Sequence, residues 1–384
     1  MIPLCRALTA RRGMIPKSPN GLRPRGCVSR RRSASSEPAA LQGRQMDRIR
    51  AWPTALEPVT VNARGLPQAS WIDHPSGFLA LSVRNRRFEL PGRPGFVAYR
   101  EQGRHLVAFG GLHAPESERA RLLNAFLAEA ARQQRVALFV QIREEAVPLF
   151  LDRGMTVNQF GTSITLELAG YSLTGGEKMR LRNKINRAHK AGVRVLEIGT
   201  DVPSGEAVFA QLRTITAGWL AGKKKQELDF MIGELGAPGD PHRRIFVALD
   251  KKGAHVGFIT YVPAWGRMPG YLHDLARRLP DAPAGTMEAV NALALQKLMR
   301  EGVRFLHFGF TPFILFGEEY PGFSRAMAWL GRVLRRNGQA LYPSDSQAAY
   351  KLKWGPRILE REFIAARPLA LRAAYDLLRL THSL

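Results

Sequence analysis

Residues 271–286 read YLHDLARRLPDAPAGT, and the chain continues over residues 286–301 as TMEAVNALALQKLMRE. The first part runs as a short buried stretch and then breaks into a Pro/Gly loop, which predicts a strand over 270–276 followed by a turn. The second part puts Met287, Val290, Ala294 and Leu298 on one stripe of a 3.6-residue repeat and stops at Gly302. That spacing predicts a helix over 286–301 with Thr286 as its N-cap. A strand that passes through a tight loop into a helix offers free backbone N–H groups and the positive end of the helix dipole to an anion. Asp274, Arg277 and Arg278 close the strand beside that loop and are the first candidate site residues.

Outward from this segment the same order of elements occurs twice. Upstream of the helix, 245–250 and 256–262 read as strands flanking the Lys251-Lys252-Gly253 turn, and downstream 303–310 is a further strand. Earlier in the chain, 95–100 and 105–110 read as paired strands. They are followed by a helix over 116–134, a buried strand over 136–141, a helix over 144–153 closed by Gly154, and a strand over 162–168. The predicted fold class is therefore α/β (α+β) with a mainly antiparallel sheet, in two halves related by architecture and not by residue identity.

Between the halves, residues 177–191 form a narrow apolar seam of Leu181, Ile185 and Ala188. Lys178, Arg180, Arg182, Lys184, Arg187 and Lys190 occupy the other faces with no acid among them. Such a helix forgoes the usual i, i+4 ion pairs, which favours a phosphate-facing role over a solvated linker.

The composition agrees. The 384 residues carry 57 Lys+Arg against 32 Asp+Glu, a formal net charge of +25, which points to a polyanionic partner. Residues 1–45 hold ten of the cations and one acid, Glu37, without helical or strand period, and read as a disordered basic arm. The arm contributes +9 and leaves +16 on the remainder. An upstream start misassigned ahead of Met46, a nucleic-acid or lipid tether and a transit peptide all fit it. With 45% hydrophobic residues, disorder throughout is excluded, and no 18-residue apolar window is present to span a bilayer. Cys5 and Cys27 both fall in the arm, so a disulfide framework and a cysteine zinc site are excluded and a cytoplasmic location is the expectation.

Other catalytic signatures are weak. No H-E-x-x-H, G-x-S-x-G or P-loop motif occurs, and His273 and His307 on expected strands read as core or edge residues. Residues 309–312, GFTP, read as a turn that could also line a cleft. Near the C-terminus, YKLKWGPR at 350–357 interleaves cations with aromatics. Read as an extended segment, it points Lys351 and Lys353 the same way, as a phosphate or the rim of a cleft requires.

These pieces together resemble the C-terminal catalytic domain of bacterial aminoacyl-phosphatidylglycerol synthases. The resemblance rests on EKMRLRNKINRAHKAGVRV (177–195), VGFITYVP (256–263), DLARRLPDAPAGTME (274–288), FLHFGFTP (305–312) and YKLKWGPR (350–357), in that order. It departs from the common pattern at Ala284, where Asn is usual, and over 315–320.

The resemblance implies two tandem GNAT-like acyltransferase domains joined by a basic helix: residues 46–170, a linker at 171–195, and a catalytic domain at 196–384. It implies a member without the membrane flippase segment. Its implied activity is transfer of an aminoacyl group from aminoacyl-tRNA to a hydroxyl of phosphatidylglycerol or a related polar lipid, with peripheral contact at the inner membrane face. A soluble transferase acting on a small-molecule amine, hydroxylamine or alcohol, and a non-catalytic RNA- or membrane-binding protein, stay open as alternatives.

Coenzyme A is not expected, because the loop at 281–286 lacks the Arg/Gln-x-x-Gly-x-Gly/Ala pattern that wraps its pyrophosphate, and no metal or other cofactor is expected. Asp274, Arg277, Glu288 and Lys351 are the expected catalytic residues. Asp274 serves either as base or as anchor for the substrate ammonium. Arg278, Thr286, Glu318, Lys353 and Trp354 are expected to bind substrate, with Glu319 beside them. Lys178, Arg180, Arg182, Lys184 and Arg187 are expected to contact tRNA.

Overall fold

A computed structural model describes residues 71–223, 229–337 and 344–383. The basic arm at 1–45 lies outside the described residues. The first half contains α1 (Gly77–Ala80), β1 (Arg86–Glu89), β2 (Phe96–Gln102), β3 (His105–Phe109), α2 (Glu116–Arg132), β4 (Val136–Arg143), α3 (Val147–Leu151) and β5 (Thr156–Glu167). Then follow α4 (Met179–Lys190), β6 (Arg194–Glu197) and α5 (Glu206–Lys223). The second half contains β7 (Arg244–Leu249), β8 (His255–Ala264), β9 (Gly270–Arg278), α6 (Thr286–Arg300), β10 (Phe305–Pro312), α7 (Arg325–Asn337), α8 (Ser344–Leu352), β11 (Ile358–Ala366) and α9 (Leu371–Leu380).

The strands form one sheet in the order β1-β2-β3-β4-β11-β5-β10-β9-β8-β7-β6. About the β11–β5 pair the pairing pattern is palindromic out to β1 and β7, with β6 added beyond β7. β11 and β5 pair antiparallel; β4 and β10 flank them antiparallel; β3 joins β4, and β9 joins β10, in parallel. Each half therefore ends in a strand inserted beside the other half's parallel pair. Exchange of β5 and β11 makes the sheet continuous across the segments expected as separate domains.

Side-chain alternation assigns the two faces of the sheet. Val107, Phe109, Leu138 and Val262 share a core with α1 and α9, and Phe258, on the same side of β8 as Val262, packs with α5. Leu106, Ala108 and Phe139 pack with α2, and Ile259 and Tyr261 pack with α4 and α6. So α1, α5 and α9 cover one face and α2, α4 and α6 the other. The helix α7 contacts α9, and its Met327 packs on the core that α9 shares.

Three local expectations are corrected. The N-cap of α6 is Gly285, at φ 91°, and Thr286 is already helical, its hydroxyl donating back to the Pro283 carbonyl at 2.6 Å. Residues 350–352 belong to α8 and are not extended. The 309–312 stretch is the end of β10, not a turn.

Candidate active site

In the second half the parallel strands part. β9 and β10 pair only through Gly270–Phe305, Tyr271–Leu306 and Leu272–His307. Beyond that point β9 stays with β8 as far as Arg278, while β10 stays with β5 as far as Pro312. A bulge between His307 and Gly309 marks the divergence. Gly309 is held at φ 70°, and a Cβ there would meet Leu272 Cδ1 at 2.9 Å, so glycine is needed where the strands separate.

The opening is a cavity of about 790 Å³. Leu79, Met327 and Leu377 line it from the α9 side, and Met287, Phe308 and Tyr350 from the α6 side, so it connects the two faces of the sheet. An apolar lining with a few convergent polar groups is the usual form of a small-molecule site.

Lys351, from the last turn of α8, is the central polar group. It is buried, and its ammonium donates to Gly309 O at 3.0 Å, Phe310 O at 2.8 Å and Thr311 Oγ1 at 2.9 Å. Two of these are backbone carbonyls of β10 beyond the point where β9 departs and the third is the Thr311 hydroxyl, so three donors meet three acceptors. Burial pulls the Lys351 pKa down to about 7, against the opposing pull of Glu362.

His273, the first residue of β9 past the divergence, also lines the cavity, amid the rings of Tyr261, Phe308 and Tyr350. Burial, reinforced by the charge of Lys351, lowers its pKa to about 3, so the imidazole is neutral at pH 7. The sequence reads His273, like His307, as a core or edge residue of a strand. No local signal separates it from His307, which is held by Thr165 Oγ1 at 2.8 Å and Met268 O at 2.9 Å.

Asp274 and Arg277 both line the cavity. The Asp274 carboxylate accepts from Arg243 at 3.0 Å and from the Gly233 N–H at 2.9 Å, and burial raises its pKa against both. Both members of the Asp274–Arg243 pair are buried. The Arg277 guanidinium carbon lies over the Trp219 ring, 4.0 Å from its centroid. The exposed Arg278 also reaches the cavity, and donates to the carbonyls of Leu279 and Pro280.

Glu288, Lys353 and the basic helix form a second cluster. Glu288 binds Lys353 Nζ at 2.6 Å and Lys184 Nζ at 3.5 Å. Burial works to raise its pKa, but Lys353 outweighs that and holds it below the usual value. Lys351 and Lys353 thus serve different partners. A Cβ at Gly285 would lie 2.0 Å from the Lys184 carbonyl oxygen, so α4 packs directly on the start of α6, where the sequence suggested an anion. Trp354 is fully buried beside Phe308, and its carbonyl accepts from Tyr171.

The cations of α4 divide into two groups. Lys178 sits over the Tyr171 ring, Arg182 donates to Leu173 O and Gly175 O, and Lys184 is held by Glu288. Arg180, Arg187 and Lys190 project from the exposed surface. The Glu318 side chain is exposed and is not part of the cavity wall, and the Glu319 carboxylate accepts from the Gln159 N–H at 2.8 Å. Among the described residues no cluster of His, Cys, Asp and Glu is placed to hold a metal, and no helix is long and apolar enough to cross a membrane.

The chain belongs to the family described as phosphatidylglycerol lysyltransferase, C-terminal, which matches residues 67–366. It is 27% identical over 234 residues to the lysylphosphatidylglycerol biosynthesis bifunctional protein LysX of Nocardia farcinica, covering 60% of this chain and 20% of that protein. It is 26% identical over 257 residues to the phosphatidylglycerol lysyltransferase of Bacillus subtilis, covering 66% of this chain and 29% of that protein. The chain therefore spans less than a third of the length of either relative. Its fold is shared with the structure of L-PGS from Bacillus licheniformis, with a TM-score of 0.68 at 21% identity, covering 80% of this chain and 92% of that one. It is also shared with the C-terminal domain of a putative lysylphosphatidylglycerol synthetase from Agrobacterium fabrum, with a TM-score of 0.67 at 21% identity, covering 82% and 94%.

Proposed function

We propose that this protein moves an aminoacyl group from aminoacyl-tRNA to a hydroxyl of phosphatidylglycerol or a related polar lipid. The observation that carries the reading is the apolar cavity crossing the sheet with Lys351 at its divergence point. A diacyl lipid needs an apolar channel, and a bulky polyanion needs to present its 3′ end from a separate, basic side. The exposed Arg180, Arg187 and Lys190 of α4, on the face opposite α9, suit the second partner.

An aminoacyl ester is already activated, so the chain's task is to orient the acceptor, move one proton and stabilise an oxyanion. The acceptor hydroxyl oxygen attacks the ester carbonyl, and the bond to the ribose oxygen breaks. With a pKa of about 7, Lys351 is present as both amine and ammonium at neutral pH. The amine takes the hydroxyl proton, the ammonium opposes the developing negative charge, and the proton passes to the leaving ribose oxygen. Asp274 is a positioning residue: through Arg243 and Gly233 it fixes the segment that walls the cavity. Arg277, stacked on Trp219, supplies fixed positive charge at the wall.

Coenzyme A has no part in this reading. Its pyrophosphate would have to occupy the start of α6, where α4 and the Glu288 carboxylate already lie. The test is incubation of the full chain with labelled aminoacyl-tRNAs and phosphatidylglycerol without any thioester. A labelled aminoacyl lipid is expected. Label appearing only in a small metabolite, or transfer that requires acetyl-coenzyme A, would overturn the assignment.

A further inference from the structure

The two helices that roof the cavity on the α9 side have outer faces that no part of the proposed reaction uses. In α7 (RAMAWLGRVLRRN), Met327, Ala328, Leu330 and Leu334 face the cavity. The opposite stripe runs Arg325, Trp329, Arg332 and Arg336, at i, i+4, i+7 and i+11, and all four are exposed, Trp329 by 55%. The α7 sequence contains four arginines and no acid.

The neighbouring α9 (LRAAYDLLRL) repeats the design. Ala374, Leu377 and Leu378 line the cavity, while Leu371, next to Arg372, and Tyr375, between Arg372 and Arg379, are 47% and 42% exposed. Both arginines lie over the Tyr375 ring. The single acid of α9, Asp376, points inward to His105 Nδ1 and the Arg104 N–H, and also accepts from Arg372.

We infer that the joint outer face of α7 and α9 docks this protein on an anionic lipid bilayer, with Trp329, Leu371 and Tyr375 at headgroup depth and the arginines on lipid phosphates. An aromatic or aliphatic group flanked by arginines, on a helix whose other face is apolar, is the composition of an interfacial helix. A stacked RNA is the competing occupant. Two observations favour the bilayer: the patch roofs an apolar cavity, and the acid-free basic helix α4 lies on the opposite face of the sheet. Docking here would set the cavity's α9 side against the source of its lipid. The inference deepens the proposed function and rests on it only for that consequence.

Co-sedimentation of the full chain with vesicles of phosphatidylglycerol and phosphatidylethanolamine is the test, with pure phosphatidylcholine vesicles as the neutral control. The chain is expected to bind the anionic vesicles at least tenfold better, and the difference should shrink as salt rises. Trp329→Ala combined with Tyr375→Ala, and separately Arg325→Gln with Arg332→Gln and Arg336→Gln, should each weaken binding about tenfold without changing the circular dichroism spectrum. Brominated lipid should quench a component of the tryptophan fluorescence that Trp329→Phe removes. Transfer to a short-chain, micelle-free phosphatidylglycerol should persist in these variants, which separates loss of docking from loss of chemistry. Equal vesicle binding by wild type and variants would overturn the inference. So would variants that keep vesicle binding but lose tRNA affinity, which would assign the face to RNA.

Discussion

The two halves of the sheet repeat one strand order but treat the gap between their parallel strands differently. In the first half β3 and β4 pair over five positions, His105–Val136 to Phe109–Val140, and the Gly110 N–H continues to Val140 O. Phe109 packs edge-on against Phe230 beyond them, and the buried His113 closes the end through Phe109 O at 3.2 Å. In the second half the equivalent pair, β9 and β10, stops after three positions, and the vacated backbone carbonyls turn to Lys351. One copy of the topology is a filled scaffold. The other keeps a cavity because a glycine bulge and a buried ammonium replace strand pairing.

Breaking the strut of the open gap should have the largest effect. Asp274→Ala leaves the buried Arg243 guanidinium with only the longer contact to Asp240 at 3.4 Å, and the loss is expected at the lower end of the range for breaking a buried pair, about 3 kcal/mol. Urea denaturation is expected to register that loss, and a change within about 0.5 kcal/mol would mean the pair is dispensable to the open gap.

Next comes the ammonium itself. Lys351→Met removes the charge at the divergence point and should lower the single-turnover transfer rate about 10²–10³-fold at saturating tRNA and acceptor. The matching change in the closed gap, His113→Leu, should leave that rate within about twofold while costing about 1 kcal/mol of stability through the lost bond to Phe109 O. Comparable rate losses in both variants would remove the functional distinction between the halves.

The pH dependence of stability sharpens the same contrast. In both halves a buried imidazole, His113 or His273, is held near a pKa of about 3, so the stability it contributes is complete above its unfolded value of 6.5 and is lost as pH falls toward 3. Only the open gap adds an alkaline arm. Lys351 has a folded pKa of about 7 against 10.5 unfolded, so stability should rise with pH between those values. Denaturation midpoints from pH 7 to 9 should climb in the wild type relative to Lys351→Met, after allowance for the other groups common to both. Parallel curves would show that Lys351 stays charged throughout.

The smallest effect concerns α4, which has contact with the open half through Lys184 and Glu288. Arg180→Gln and Arg187→Gln should each weaken tRNA binding by about two- to threefold at physiological salt and reduce the salt slope by about one. Filter binding across a salt series measures both, and unchanged slopes would move the tRNA to another surface.

Much of this was legible in the sequence because it depends on local periodicity. The helix stripe of Met287, Val290, Ala294 and Leu298, the seam of Leu181, Ile185 and Ala188, and the strands read over 270–276 and 303–310, observed as β9 and β10, follow from short-range alternation and turn residues. The segment order that carried the family resemblance also survives intact. What the sequence missed lies at long range. That β11 inserts between β4 and β5, that Asp274 belongs to Arg243, and that Lys351 and Lys353 in one KxKW motif serve different partners depend on residues tens to hundreds of positions apart. His273 and His307 are alike in sequence, both being strand histidines next to apolar residues. They differ because the sheet closes around one and opens beside the other. The sequence alone thus determined the elements and the chemistry available to them, since both arise from neighbours along the chain. Only the tertiary structure decided which of two similar gaps stays open, because that depends on strand exchange and on burial of charge, neither of which leaves a local pattern.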